Sequence, residues 1–251
     1  MKTLSRYQRE HGQLLLVRHA ESCWNAEQRF TGWVDVPLSQ AGRTQARATG
    51  RAIAATGIAI GAAFVSRLQR AKATLVLLQQ ELPGHALPVT TAWELNERHY
   101  GSLQGAYRLI VSAEQGEDKL ARLRRGYAER PPQLSRSDPA HPVHDPLYAD
   151  VNPERLPSGE SLQETRHRVA AYFTRMIRPQ LLAGRNVLVV AHGNTLRALV
   201  MELEMLTVPE VEALEIGMAE YRSYRFDTDF EIVDKAVHDI RSADTTDTQA
   251  A

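Results

Sequence analysis

Two short aliphatic runs, 13-QLLLV-17 and 186-NVLVVA-191, constrain the fold more than any other feature. Each is bounded by polar residues; the first leads into Arg18 and His19, the second into His192. Unbroken aliphatic runs of this length suit strands of a parallel sheet covered on both faces. Between them, apolar residues recur with helical spacing over 39–56, closed by Gly57, and over 67–82, closed by Pro83 and Gly84. The run 58-IAIGAAFV-65 reads as the strand between those helices, and 160–177 as a later helix with Pro179 just past its end. The segment 221-YRSYRFD-227 alternates well enough for one late strand, placed at a sheet edge. Strand, helix, strand, helix, long insertion, helix, strand, helix is the order of an α/β three-layer sandwich, a mostly parallel central sheet flanked by helices.

With 251 residues, 43% of them hydrophobic, the chain is long enough to bury one large core, and a single domain is expected over 1–240. The proline-rich stretch 131–160 far exceeds the usual connection and reads as a long active-site insertion near 128–160, a cover over a pocket. Residues 241–251 contain no apolar residue larger than alanine and read as a mobile tail.

Thirty basic and thirty acidic side chains leave no net field to attract nucleic acid or an anionic membrane, so any anion site must be local. No run approaches the roughly 18 apolar residues of a membrane span, and the polar start MKTLSRYQREHG lacks a signal-peptide core. A cytoplasmic protein without nucleic-acid or membrane partners is expected. The single cysteine, Cys23, excludes an intrachain disulfide and a thiol-rich zinc site, and reads as a small apolar filler.

In open α/β sheets, ligands bind in the crevice beyond the C-terminal strand ends. Arg18, His19 and His192 all follow predicted strands and so can meet there. Arginine presents a planar fork matched to phosphate oxygens, and a neutral imidazole can attack phosphorus and carry the group covalently. Two histidines with one or two arginines would form a phosphoryl-transfer pocket that needs no metal. Arg67 and Arg70, about one helical turn apart, offer further arginines, with plain surface charge as the alternative for both. In 192-HGNTLR-197, Gly193 lets a backbone come close, and the amides opening the next helix can face an anion. For an acid or base, 94-ELNERHYG-101 offers Glu97, with Glu94 and His99 as alternatives that spacing does not separate. Arg122, Arg124 and Arg125, with Arg108 upstream, mark either a second anion site or a solvated basic face.

The stretch 17-VRHAESCWNAEQRFTGWVDVPLSQAG-42 resembles the signature of the cofactor-dependent phosphoglycerate mutases, members of the histidine phosphatase superfamily. Further matches at 66-SRLQRAKAT-74, 95-LNERHYGSLQG-105, 123-LRRGY-127, 157-PSGESL-162 and 192-HGNTLR-197 extend the likeness over about residues 13–205. The resemblance implies that His19 is the phosphorylated nucleophile, that Arg18, Arg70 and His192 hold the transferred group, and that Asn25 assists. Glu97 would move protons at the substrate hydroxyls. Tyr100, Arg124 and Arg125 would grip the substrate, with Thr31, Gly32, Arg108, Gly193 and Asn194 around it. Interconversion of 3-phosphoglycerate and 2-phosphoglycerate is implied, through a bisphosphorylated intermediate that turns over in place. Priming by 2,3-bisphosphoglycerate, no prosthetic group or metal, and a homodimer or homotetramer are implied with it.

Several positions depart from that pattern. The family glycine after the nucleophile is Ala20, Tyr107 replaces a usual asparagine and Arg108 a lysine. Met218 and Ala219 stand where threonine and glycine are expected, and Glu220 adds a negative charge that would oppose a second phosphate if it points into the pocket. The alternative reaction is therefore that of a related phosphatase or phosphotransferase acting on another small phosphorylated acid.

Overall fold

A computed structural model describes residues 11–84 and 87–240; the expected tail over 241–251 lies outside the described residues. The chain runs β1 (Leu14–Arg18), α1 (Cys23–Ala26), α2 (Gln40–Ala55), β2 (Ala62–Ser66), α3 (Gln69–Gln79) and β3 (Val89–Ala92). It continues through α4 (Arg108–Gln115), α5 (Glu117–Arg125), α6 (Leu162–Tyr172), α7 (Arg178–Leu182), β4 (Val187–Ala191), α8 (Gly193–Leu203) and α9 (Val208–Ala213), then closes with β5 (Tyr221–Phe226) and β6 (Ile232–His238).

The strands form one sheet in the order β3-β2-β4-β1-β5-β6. The first four are parallel neighbours, while β5 runs antiparallel to β1 and β6 antiparallel to β5. Because side chains alternate along a strand, β1 sends Leu14 and Leu16 to one face and Leu15 and Val17 to the other. The first face packs with Val169 of α6 and Leu199 of α8, the second with Ile53 of α2 and Leu75 and Leu78 of α3. This double burial is why β4 and the first four residues of β1 are aliphatic, and it makes the three layers.

Ser39 caps α2, its Oγ accepting from Gly42 N at 2.9 Å and donating to Glu21 Oε1 at 2.7 Å. Several expected boundaries move. The strand expected over 58–65 starts only at Ala62, and α3 starts at Gln69, after Arg67. Pro179 does not lie beyond the helix: α6 passes through a π turn, Phe173–Ile177, into α7, where Pro179 occupies the first turn, a position that needs no backbone N–H. The late strand β5 is interior, because β6 covers its outer edge. Asp234 and Lys235 interrupt the apolar pattern of β6, and exposed charge of this kind is common on edge strands.

The insertion is ordered by proline-initiated 3-10 turns at Pro142–His144, Pro146–Tyr148 and Pro153–Arg155, capped by His141, Asp145 and Asn152. Tyr148, Val151 and Leu156 pack against Trp33 and Trp93. The insertion buttresses these two tryptophans, and no residue of 131–160 lines the cavity described below.

Candidate active site

Sheet register assembles the site. Arg18 of β1 lies opposite Ala191 of β4, and the His19 backbone N–H donates to the Ala191 carbonyl oxygen at 2.9 Å. One step beyond the strand ends the two imidazoles sit together, ring centroids 4.9 Å apart and inclined at 61°. His19 Nδ1 is 2.7 Å from the Ala20 carbonyl oxygen. A carbonyl only accepts, so Nδ1 carries the proton and Nε2 keeps a lone pair, to which Arg70 Nε donates at 3.4 Å. Burial, then the charges of Arg70 and Arg18, hold His19 well below the ordinary imidazole pKa, so the ring is neutral.

His192 Nε2 lies 2.7 Å from Ser66 Oγ, which itself accepts from Leu68 N at 3.3 Å. Ser66 Oγ and His192 Nε2 share one hydrogen, and His192 Nδ1 is a buried atom without a hydrogen-bond partner. Burial, followed by Arg70 and His19, likewise depresses the His192 pKa far below its ordinary value. His192 is packed behind His19; all the other residues assigned by resemblance line one cavity of about 350 Å3.

Arg70 is buried, its Nη1 donating to Val34 O at 3.0 Å and Nη2 to Gly32 O at 2.7 Å; burial pushes its pKa down to about 10. Gly32 presents that carbonyl from φ +54°, and a Cβ there would lie 2.1 Å from Gln104 Oε1. Arg18 Nη1 donates to Ile216 O at 2.5 Å, leaving Nε without a partner. A Cβ on Gly193 would lie 3.4 Å from that Nε, at ordinary van der Waals contact, so Gly193 packs directly beside the guanidinium. Arg67 points elsewhere, forming a fork on Asp150 at 2.6 and 2.7 Å and anchoring the insertion. Thr31 Oγ1 and Arg108 Nε are also buried and unpartnered. Asn25 engages Ser22 through Oδ1, at 3.1 Å from its N and 2.8 Å from its Oγ, which leaves the amide NH2 for the cavity.

Only one of the three acid–base candidates reaches the cavity. Glu97 Oε1 accepts from Arg98 N at 2.8 Å and Asn194 N at 3.1 Å. Its own carbonyl oxygen accepts from Trp33 Nε1 at 2.6 Å and Arg168 Nη2 at 2.9 Å. Glu94 instead faces Arg155 and Arg175, and His99 is buried with Nδ1 accepting from Gly101 N. Tyr100 Oη accepts from Asn194 Nδ2 at 3.0 Å and Arg98 Nη2 at 3.2 Å, so its hydrogen is left to donate.

Three buried arginines that sequence reasoning missed build this frame. Arg168 pairs with Glu160 and donates to the carbonyl oxygens of Glu94, Asn96 and Glu97. Arg197 ties Asn194 Oδ1 to the Arg125 and Val211 carbonyl oxygens, and Arg98 holds those of Leu123 and Arg124. Arg98 and Arg197 stood inside the quoted motifs; Arg168 carried no local signal. Arg124 and Arg125 line the cavity from the end of α5, and Arg122 lies near Glu129 on its outer side.

The departures resolve in a specific way. Ala20 has ordinary backbone angles, and its methyl packs with Leu38, Ala46 and Ala219 instead of straining the loop. Ala219 keeps the conformation expected of glycine, with φ +60°. Glu220 lines the cavity with both oxygens engaged: Oε2 accepts from Gly217 N at 2.7 Å and Oε1 from Arg222 Nε at 2.9 Å. Its charge is matched by Arg222, and it fastens the turn that holds Arg18.

Neutral paired histidines at parallel strand ends, ringed by arginines with free donors, define a phosphoryl-transfer site. The chain belongs to the histidine phosphatase superfamily (branch 1), whose sequence profile matches residues 14–143 and 136–237. It is 50% identical over 215 residues to the 2,3-bisphosphoglycerate-dependent phosphoglycerate mutase of Nitratidesulfovibrio vulgaris (strain Hildenborough), covering 86% of each chain. Among solved structures, mycobacterial hydrolase 1 matches with a TM-score of 0.67 at 23% identity, over 91% of this chain and 97% of that one. The mycobacterial glucosyl-3-phosphoglycerate phosphatase in complex with VO3 matches with a TM-score of 0.68 at 24% identity, over 91% and 98%. These two likenesses bear on the fold alone. Among the described residues no group of three or more His, Cys, Asp or Glu is placed to hold a metal ion, and no helix is long and apolar enough to cross a membrane.

Proposed function

We propose that the protein is a 2,3-bisphosphoglycerate-dependent phosphoglycerate mutase. The carrying observation is that Glu97, held by the Arg98 and Asn194 amides, shares a cavity with His19, whose Nε2 carries the ring's lone pair beside Arg70. Half-identity to a protein of that name supports the same substrates. In phosphorylated enzyme, the 2-hydroxyl of 3-phosphoglycerate attacks the phosphorus on His19 Nε2 while Glu97 takes its proton; the O–P bond forms and the N–P bond breaks. His19 then attacks the 3-phosphate of the resulting bisphosphate, and Glu97 returns the proton to the departing oxygen, giving 2-phosphoglycerate.

Arg18, Arg70, His192 and the Gly193 amide are assigned to the transferred group, with Asn25, Thr31, Gly32 and Asn194 beside them. Tyr100, Arg108, Arg124 and Arg125 are assigned to the remainder of the substrate. The unpartnered Nε atoms of Arg18 and Arg108 support a doubly anionic ligand. The priming donor in this reading is 2,3-bisphosphoglycerate. A cytoplasmic homodimer or homotetramer belongs to the same proposal, and light scattering of the purified protein tests the assembly.

Phosphorus NMR with 3-phosphoglycerate tests the reaction, with and without a trace of 2,3-bisphosphoglycerate and beside His19→Ala. The expected result is 2-phosphoglycerate that depends on priming and is lost in the variant. Inorganic phosphate alone would overturn the mutase reading in favour of hydrolysis.

A further inference from the structure

Three glutamates line the cavity, and two of them are fastened within it: Glu97 by backbone amides, Glu220 by Gly217 and Arg222. Glu215 differs. Its side chain is 77% exposed and pairs with Arg125 Nη2, while Arg125 Nη1 donates to Leu214 O at 3.1 Å. Arg125 thus meets the cavity with its charge already matched by a carboxylate of its own chain, whereas Arg18 and Arg108 keep an unpartnered Nε.

We propose that Glu215 is a displaceable internal ligand of Arg125, exchanged for the second anionic group of the substrate, and that it thereby sets the affinity of the pocket for doubly anionic ligands. The inference rests on the proposed role of Arg125 in gripping the substrate. An exposed ion pair is weak, so a phosphate or carboxylate can replace Glu215 at small cost, and the released side chain returns to water without a desolvation penalty. The exchange lowers affinity by what the pair was worth, about two- to five-fold, and high salt screens it. A ligand with one anionic group, held at His19, leaves the pair untouched.

Calorimetric titration of the unprimed full-length protein with 3-phosphoglycerate, and separately with inorganic phosphate, tests this in wild type, Glu215→Gln, Arg125→Ala and the double variant. Glu215→Gln is expected to tighten 3-phosphoglycerate about two- to five-fold and leave inorganic phosphate unchanged, the gain vanishing with Arg125→Ala and shrinking at high salt. No tightening, or tightening that persists without Arg125, overturns the proposal while the role of Arg125 stands. If Arg125→Ala alone leaves 3-phosphoglycerate binding unchanged, the role of Arg125 fails and the proposal with it.

Discussion

Arg168 donates to the main-chain carbonyl oxygen of Glu97 at 2.9 Å, reaching from α6 to the loop that carries the proposed acid–base group. The same guanidinium holds the carbonyl oxygens of Glu94 at 2.6 Å and Asn96 at 3.0 Å, and pairs with Glu160. Together with Trp33 Nε1 on the same carbonyl oxygen, this side chain holds the backbone from which Glu97 projects.

Arg168→Lys keeps the charge but loses the planar fork that reaches several acceptors together. We expect a folded protein whose kcat falls about 10- to 100-fold through misplacement of Glu97, with stability reduced by about 1–3 kcal/mol. Steady-state kinetics and urea unfolding of the same preparation check both; unchanged kcat would separate Arg168 from catalysis.

Glu97→Gln retains an oxygen able to accept from Asn194 N and Arg98 N but cannot take or give the proton. A kcat lower by about 10²–10⁴ is expected, with inorganic phosphate binding retained by calorimetry. Loss of both together would make Glu97 a support for the pocket instead of its proton carrier.

At Ala219, with φ +60° and 1% exposure, opposing terms nearly cancel on substitution by glycine. Relief of the left-handed conformation gains about 1–2 kcal/mol, while a lost buried methyl costs about 0.8 and the freer unfolded chain about 0.4–1. Ala219→Gly should therefore leave stability within about 1 kcal/mol. Ala219→Val, β-branched at positive φ and crowding Ala20 and Leu38, should cost at least about 2 kcal/mol. Denaturant unfolding of the pair distinguishes the two outcomes.

Burial, with His141 and Arg168 adding to it, lowers His99 from 6.5 to about 3, and His19 and His192 are also held well below 6.5. The unfolded chain takes up these protons near pH 6.5 and the folded chain does not. Stability is thus complete above that pH and falls as pH drops below it, by up to about 1.4 kcal/mol per unit for each histidine. Urea midpoints between pH 7.5 and 5 should decline, with a shallower slope in His99→Gln; a flat profile would contradict the burial of neutral imidazoles.

Much of this was written in local pattern. The aliphatic runs dictated doubly buried strands, and a histidine just beyond each was enough to bring both to one sheet edge. Ser39 and Gly57 bounded α2, and the quoted motifs placed nearly every cavity residue. Pattern failed where neighbours come from afar. Asp234 and Lys235 hid β6, whose pairing depends on the exposed edge of β5, and the proline-rich insertion gave no sign of packing on Trp33 and Trp93.

The sequence by itself determined the layered fold, the strand-end histidines and the class of chemistry, because periodicity and side-chain type are local properties. Only the tertiary structure brought Glu97 into the cavity while turning Glu94 and His99 away, turned Arg67 to Asp150 and Arg70 to His19, and caged Glu220 against Arg222. It also set Arg168 on the carbonyl oxygens of the loop that carries Glu97. Those choices depend on which donors and acceptors meet across the sheet and the insertion, and a buried polar group takes its partner from whatever register and packing place within hydrogen-bond reach.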